Sequence, residues 1–355
     1  MLSLPFADGG EGTSRCFYDI LGGQLRKAAV HDPLLREITA EYTVLPDGTA
    51  VIDVASASGL TLLKSSERDA VKVSSLGSGE LICDAAEHGA KHIILGLGGS
   101  ATTDAGTGIL YALGMRFFSE DGVEVLPDGQ NMIRVKEIRR TENFERFKDI
   151  KFTLACDVTN PLCGENGAAY VFSPQKGASK NDVELLDDGL RNIGEIFEKA
   201  SGKKIINLPG AGAAGGIGGG LSAFLNCELQ SGFDVLARAA SLEDKIRRSD
   251  AVITGEGKTD RQTLFGKLPK RVSDIAEKFG VPCILLSGDV ENDISAEKLG
   301  VCEIHKIKEN GISLEHCMKN AASLLSERAF AIGKDSKIIN KQYSRKQEKM
   351  RENER

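Results

Sequence analysis

The sequence reads as an α/β protein on a parallel, doubly wound sheet, and three observations carry that reading. From Ser78 onward, short apolar runs of strand length alternate with longer segments of helical period. The last third is strand–helix alternation throughout. Glycine clusters fall at strand-to-helix junctions, where backbone turns tightly or approaches a ligand closely. At 355 residues the chain exceeds one ordinary domain, and ~150 residues per domain makes two the expectation.

Taken in order, residues 3–12 are expected as the end of a strand entering the loop Ala7-Asp8-Gly9-Gly10-Glu11-Gly12-Thr13, with a helix over 14–25. Two β-rich runs, 38–45 and 49–55, flank Pro46-Asp47-Gly48 and predict a hairpin. Ser78 is the expected N-cap of a helix over 79–88, and 91–96 a buried strand. The loop 98–104 should lead into a helix running through Met115. Residues 151–156, 168–172 and 203–208 read as strands and 181–200 as a long amphipathic helix. Strands at 250–254, 281–287 and 301–307 alternate with helices at 268–279 and 295–299, and a helix over 313–332 closes the pattern. Beyond Gly333, eight Lys/Arg stand against four Asp/Glu with few apolar residues, a solvated or disordered tail.

Composition narrows the function. A hydrophobic fraction of 41% with 27% charged residues is that of a globular protein with a real core. No run approaches the ~18 apolar residues of a membrane span, and the N-terminus lacks a signal peptide's basic and apolar regions. A net charge of −6 argues against a nucleic-acid or anionic-membrane partner, since both need a basic footprint. None of the eight cysteines forms CxxC, and the five histidines form no HxH or HxxxH, so zinc and redox motifs are not expected. Reduced, structural cysteines in a cytoplasmic protein are the expectation.

Glycine is the informative excess, 40 of 355 residues against about 7% on average. Gly257-Lys258-Thr259 ends like a P-loop, but Val252 stands where that motif needs glycine. Gly210, Gly212 and Gly215 satisfy GxGxxG, as Gly96, Gly98 and Ala101 do loosely. Neither copy has a well-placed ribose-binding acid, which leaves a nicotinamide dehydrogenase a minor alternative. What remains is four glycine-bounded loops, 7–13, 98–106, 210–220 and 255–263, each with polar or acidic residues. Glycine-rich turns at helix starts present N–H groups to phosphate, and adjoining carboxylates suit Mg²⁺ or a base that takes a hydroxyl proton. The competing reading is that these glycines only permit tight turns and close packing.

Six ordered motifs carry a resemblance. They are the 7–13 loop, Gly98-Gly99-Ser100-Ala101-Thr102-Thr103-Asp104, Cys156-Asp157-Val158-Thr159-Asn160-Pro161-Leu162, Gln175-Lys176-Gly177-Ala178, the run 209–216, and Gly255-Glu256-Gly257-Lys258-Thr259-Asp260. Together they resemble the bacterial type-1 glycerate kinase family from about Leu4 to Ile332. The resemblance implies transfer of the ATP γ-phosphoryl group to D-glycerate. It further implies a flavodoxin-like domain interrupted by a second α/β domain, with the active site between. On that basis residues 1–35 and 235–332 form the flavodoxin-like domain, 36–234 the insertion and 333–355 the tail. The implied ligands are D-glycerate, ATP and Mg²⁺.

Carried onto this chain, the motifs make Asp157, Glu256 and Asp260 the candidate catalytic residues, with Asp157 or Glu256 a potential Mg²⁺ ligand. Asp8, Glu11, Gly98, Gly99, Ser100, Asp104, Asn160, Lys176, Gly212 and Lys258 are the candidate substrate- or phosphate-binding positions. Turn, cap or solvated-surface roles compete at each of them. The sequence departs from the family pattern at Thr103, Ala105, Arg261 and the pair Lys270-Arg271. The family's initial strand and Ser-Phe-Lys-Gly loop have no counterpart, so the flavodoxin-like domain is expected to lack a central strand. A catalytically silent, ligand-binding remnant is therefore the alternative to an active kinase.

Overall fold

The computed structural model describes residues 2–126, 128–308 and 311–335. The chain forms two compact units, residues 1–240 and 241–355. The first carries strands β1 (Gln24–His31), β2 (Glu37–Val44), β3 (Ala50–Asp53), β4 (His92–Gly96), β5 (Met115–Phe118), β6 (Glu137–Arg140), β7 (Lys151–Ala155) and β8 (Asn226–Gln230). The second carries β9 (Val252–Thr254), β10 (Lys258–Thr259), β11 (Cys283–Ser287), β12 (Asp289–Val290) and β13 (Glu303–Lys306).

In the first unit a six-stranded sheet runs β1-β2-β3-β4-β7-β8. The expected hairpin is there as β2 and β3, antiparallel, and β3, β4, β7 and β8 are parallel neighbours. Alternate side chains point to opposite faces. Ile52, Ile93 and Leu95 enter one core with Leu81 and Ile82, whereas Val51 and Ile94 enter another with Phe17 and Leu236. Helices cover both faces, which is why the strands are apolar on both sides. Register aligns Asp53, Gly96, Ala155 and Gln230 at the C-terminal ends of the four parallel strands. Open α/β sheets bind ligands beyond that edge. In the second unit β9, β11 and β13 form a parallel sheet with β11 central, and β10 pairs with β12. The α/β class expected from the sequence is the class observed.

Several elements differ from expectation. Residues 2–7 adopt no regular structure, where the end of a strand was expected. The first helix, Thr13–Leu21, stops before Gly22 and Gly23, whose φ of 75° and 117° break it, and Gln24 already opens β1. The next helix spans Leu76–Glu87 with Ser75 at its N-cap. Ser78 lies inside it, its hydroxyl donating to the Val54 carbonyl and bonded to Ser58. The helix after the 98–104 loop is Thr107–Ala112, and Met115 begins β5. Ala168–Phe172 is a helix, not a strand; periodicity cannot separate the two in an apolar run of five. Residues 203–208 form no strand, because the Ile205 and Ile206 N–H groups donate to Glu198 Oε1, at 2.8 and 3.0 Å. The long helix is Lys180–Ser201, capped by Ser179 and ended by Gly202 in the left-handed region. The closing helix is two, Leu314–Lys319 and Ala321–Asp335, broken at Asn320. The charged tail beyond 335 lies outside the described residues.

Candidate functional site

In the first unit a cavity of about 380 Å³ opens beyond the C-terminal ends of β4 and β7. The loop after β4 supplies Gly98, Gly99 and Ser100, and the loop after β7 supplies Asp157. Asp8, Gln175 and Lys176 add to the polar lining. Six of the sequence-derived positions therefore share one wall-to-wall site. Close backbone approach shapes it: the Gly98 N–H donates to the Gly9 carbonyl at 3.0 Å, and a Cβ on Gly98 would lie 2.6 Å from Gly10 Cα.

Lys176 is only 3% exposed. Its Nζ donates to the Thr102 carbonyl at 2.7 Å and the Ser100 hydroxyl at 3.0 Å. An ammonium has three donors, so one remains for a ligand in the cavity. Burial pushes its pKa down to about 8, against the opposing pull of the Asp104 carboxylate. Asp104 itself is fully buried. It accepts from the Ser75 hydroxyl and N–H at 2.7 and 2.8 Å and from the Gly106 N–H at 3.0 Å. Burial raises its pKa while those hydrogen bonds lower it. The carboxylate thus fixes the loop that carries Ser100 and sets a counter-charge near Lys176.

Glu11, Asn160 and Gly212, also expected in the site, do not line the cavity. Asn160 donates its side-chain amide to the Asn166 carbonyl at 2.8 Å, and its own carbonyl accepts from the Gly212 N–H at 3.0 Å. Glu11 is exposed, its carboxylate 3.5 Å from the Thr61 hydroxyl. The 210–220 glycines pack backbone on backbone: a Cβ on Gly212 would lie 2.3 Å from the Pro161 carbonyl, and one on Gly215 2.0 Å from that of Thr102. This GxGxxG serves close packing.

Asp53, at the end of β3, has a part that reading the sequence missed. Its carboxylate accepts from the Gly12 and Ser14 N–H groups, both at 2.9 Å, and so holds the loop that carries Asp8 and Glu11. Burial, with Glu11 adding repulsion, pushes its pKa up to about 6 although both N–H groups pull it down. The available signal was an acid ending the apolar run Val51-Ile52.

In the second unit Glu256, Lys258 and Asp260 follow β9. The Thr263 hydroxyl donates to Glu256 Oε1 at 2.6 Å and accepts from the Asp260 N–H at 3.2 Å, linking the two acids. Asp260 also caps the following 3₁₀ turn through the Gln262 N–H at 2.9 Å. Burial tends to raise its pKa, but the Gln262 N–H and the Lys267 ammonium hold it below the usual carboxylate range. Lys258 pairs with Glu291 at 2.8 Å. Thr263 is a second residue that spacing alone did not single out. Among the described residues no three His, Cys, Asp or Glu gather as a metal cage, and no helix is long and apolar enough to cross a membrane.

Comparison with known proteins shows the family of the chain. A model described as the Glycerate kinase family matches residues 1–337. The chain is 39% identical to the "Glycerate kinase" of Halalkalibacterium halodurans over 92% of its own length and 86% of that protein. It is 42% identical to the "Glycerate 2-kinase" of Escherichia coli over 82% of its length and 77% of that protein. A crystal structure of a protein assigned as glycerate kinase 2 from Salmonella typhimurium LT2 superposes with a TM-score of 0.81 at 34% identity. It covers 98% of this chain and 90% of that one.

Proposed function

The chain belongs to the glycerate kinase family, and from that premise we propose that it transfers the γ-phosphoryl group of ATP to a hydroxyl of D-glycerate. The observation that carries the reading is the cavity of the first unit, which combines a buried ammonium with exposed carboxylates. That pattern suits a small hydroxy acid. The spare Lys176 donor would meet its carboxylate, and Asp8 and Asp157 would accept from its hydroxyls. In the transfer the hydroxyl oxygen bonds to the γ-phosphorus, the bond to the ADP oxygen breaks, and Asp157 takes the hydroxyl proton.

When bound, Mg²⁺ neutralises charge on the nucleotide phosphates. It takes one or two protein carboxylates rather than a full cage, a demand that Glu256 fits with its second carboxylate oxygen. Asp260 stays tied to Glu256 through Thr263. Eight cysteines without a disulfide fit a reducing compartment, and we place the protein in the cytoplasm.

The test is ADP release from ATP and Mg²⁺ with and without D-glycerate, on the 355-residue chain. Glycerate-dependent turnover is expected, with Asp157→Asn lowering kcat by about 10²-fold. Folded protein without turnover would make this chain a silent member of its family. Unchanged kcat in Asp157→Asn would remove that carboxylate from the chemistry.

A further inference from the structure

We propose that the nucleotide binds on the second unit, its adenine base in an apolar cavity beyond β9 and β11 and its phosphates over Lys258, Lys306 and Lys308. The inference rests on the phosphoryl-transfer reading and assigns the donor subsite that reading leaves open.

The C-terminal ends of β9 and β11 open into a cavity of about 500 Å³. Ile253, Leu286 and Ile307 line it from the sheet side, and Leu314, Met318 and Leu325 from the two closing helices. This is a mainly apolar slot of ligand size, with Thr254 and Glu256 its polar wall beside Gly257, at the edge where parallel sheets bind ligands. A second cavity, about 480 Å³, holds the three lysines with Asp289 and Glu291. The two adjoin along the backbone: Gly257, Gly288 and Ile307 line the first, and the next residues, Lys258, Asp289 and Lys308, line the second. Glycine permits that junction, since a Cβ on Gly288 would lie 2.2 Å from the Gly257 carbonyl.

An apolar slot continuing into a cationic one matches a nucleoside polyphosphate, whose flat base and charged tail lie end to end. Lys258 pairs with Glu291 at 2.8 Å and Lys308 with Asp289 at 2.7 Å. Lys306, exposed, has no ion-pair partner among the described residues, which leaves the group one positive charge in excess. Phosphate oxygens can take over the paired ammoniums, because charge-assisted hydrogen bonds to phosphate are strong and both pairs are at the surface.

Calorimetric titration of the full chain with ADP in MgCl₂, and with adenosine and tripolyphosphate separately, tests the assignment. Met318 is 71% exposed, so Met318→Glu and Lys306→Glu leave the core intact. Met318→Glu should weaken ADP and adenosine about tenfold and leave tripolyphosphate unchanged. Lys306→Glu should weaken ADP and tripolyphosphate and leave adenosine unchanged. ADP affinity within twofold of wild type in both variants would overturn the proposal, as would a wild-type chain that binds no ADP. A chain that binds ADP with this pattern but turns over no glycerate keeps the subsite and loses the kinase reading. One that turns over glycerate with an unchanged KM for ATP in both variants keeps the kinase and loses the subsite.

Discussion

At the scale of single residues, charge burial dominates the candidate site. Lys176, Asp104 and Asp53 are all nearly inaccessible, and each is held by donors or acceptors from a neighbouring loop. Asp53 makes the consequence measurable. Its pKa rises from 3.8 unfolded to about 6 folded, so the native state holds the proton more tightly. The contribution of Asp53 to stability is full below pH 4 and falls as pH rises through 6, by about 3 kcal/mol in all. Asn cannot ionise and keeps only one acceptor for the two N–H groups. Urea unfolding of wild type and Asp53→Asn should show a stability gap that narrows by about that amount between pH 4 and 7. A gap independent of pH would mean that Asp53 titrates like an exposed acid.

At the scale of elements, loops packed backbone against backbone decide the architecture of the cavity. The helix Ala213–Phe224 begins with Ala214, Gly215 and Gly216 all at positive φ, and the Gly215 carbonyl accepts from the Ala105 N–H at 3.0 Å. Gly215 combines a φ of 69° with a site where a Cβ would meet the Thr102 carbonyl at 2.0 Å. Gly215→Ala should therefore cost about 3 kcal/mol or more, through strain and displacement of the loop that carries Ser100. Gly333, helical and with no neighbour within 4 Å of a Cβ, provides the contrast. There Ala should raise stability by about 0.5 kcal/mol, read in the same denaturant series. Equal effects at both positions would refute the packing role given to Gly215.

At the scale of the molecule, the two units have cores of unequal quality. All four residues of β3 are buried, and β4 and β7 are nearly so. By contrast β9 is an edge strand whose Ile253 is 46% exposed. Local opening follows burial, so amides of β3, β4 and β7 should exchange with solvent slowest and those of β9 at least tenfold faster. Hydrogen exchange followed by mass spectrometry would measure this, and uniform protection across both sheets would contradict it.

How much the chain declares in one dimension follows from the range of the interactions. Apolar periodicity and turn chemistry are local, so the α/β class, the Pro46-Asp47-Gly48 hairpin and the long helix after Ser179 were legible from the residues alone. Six motifs in order also carried the family, because their residues and order can be read along the chain without the fold. Residues 168–172, an apolar run of five, fit either period, and residues 203–208 were misread for the opposite reason. The conformation of 203–208 depends on where hydrogen bonds go, and Glu198 takes the N–H groups that a strand partner would otherwise accept. Asp53 was invisible for a similar cause: it acts on Gly12 and Ser14, 41 and 39 positions away. Thr263, by contrast, sits in a local capping box three residues after Asp260 that the spacing could have shown. Sequence thus determined the class, the family and the residue types that chemistry requires. Tertiary structure alone decided that Asp8, Gly98, Ser100, Asp157 and Lys176 meet in one cavity, because only the register of β3, β4 and β7 brings their loops to a common edge.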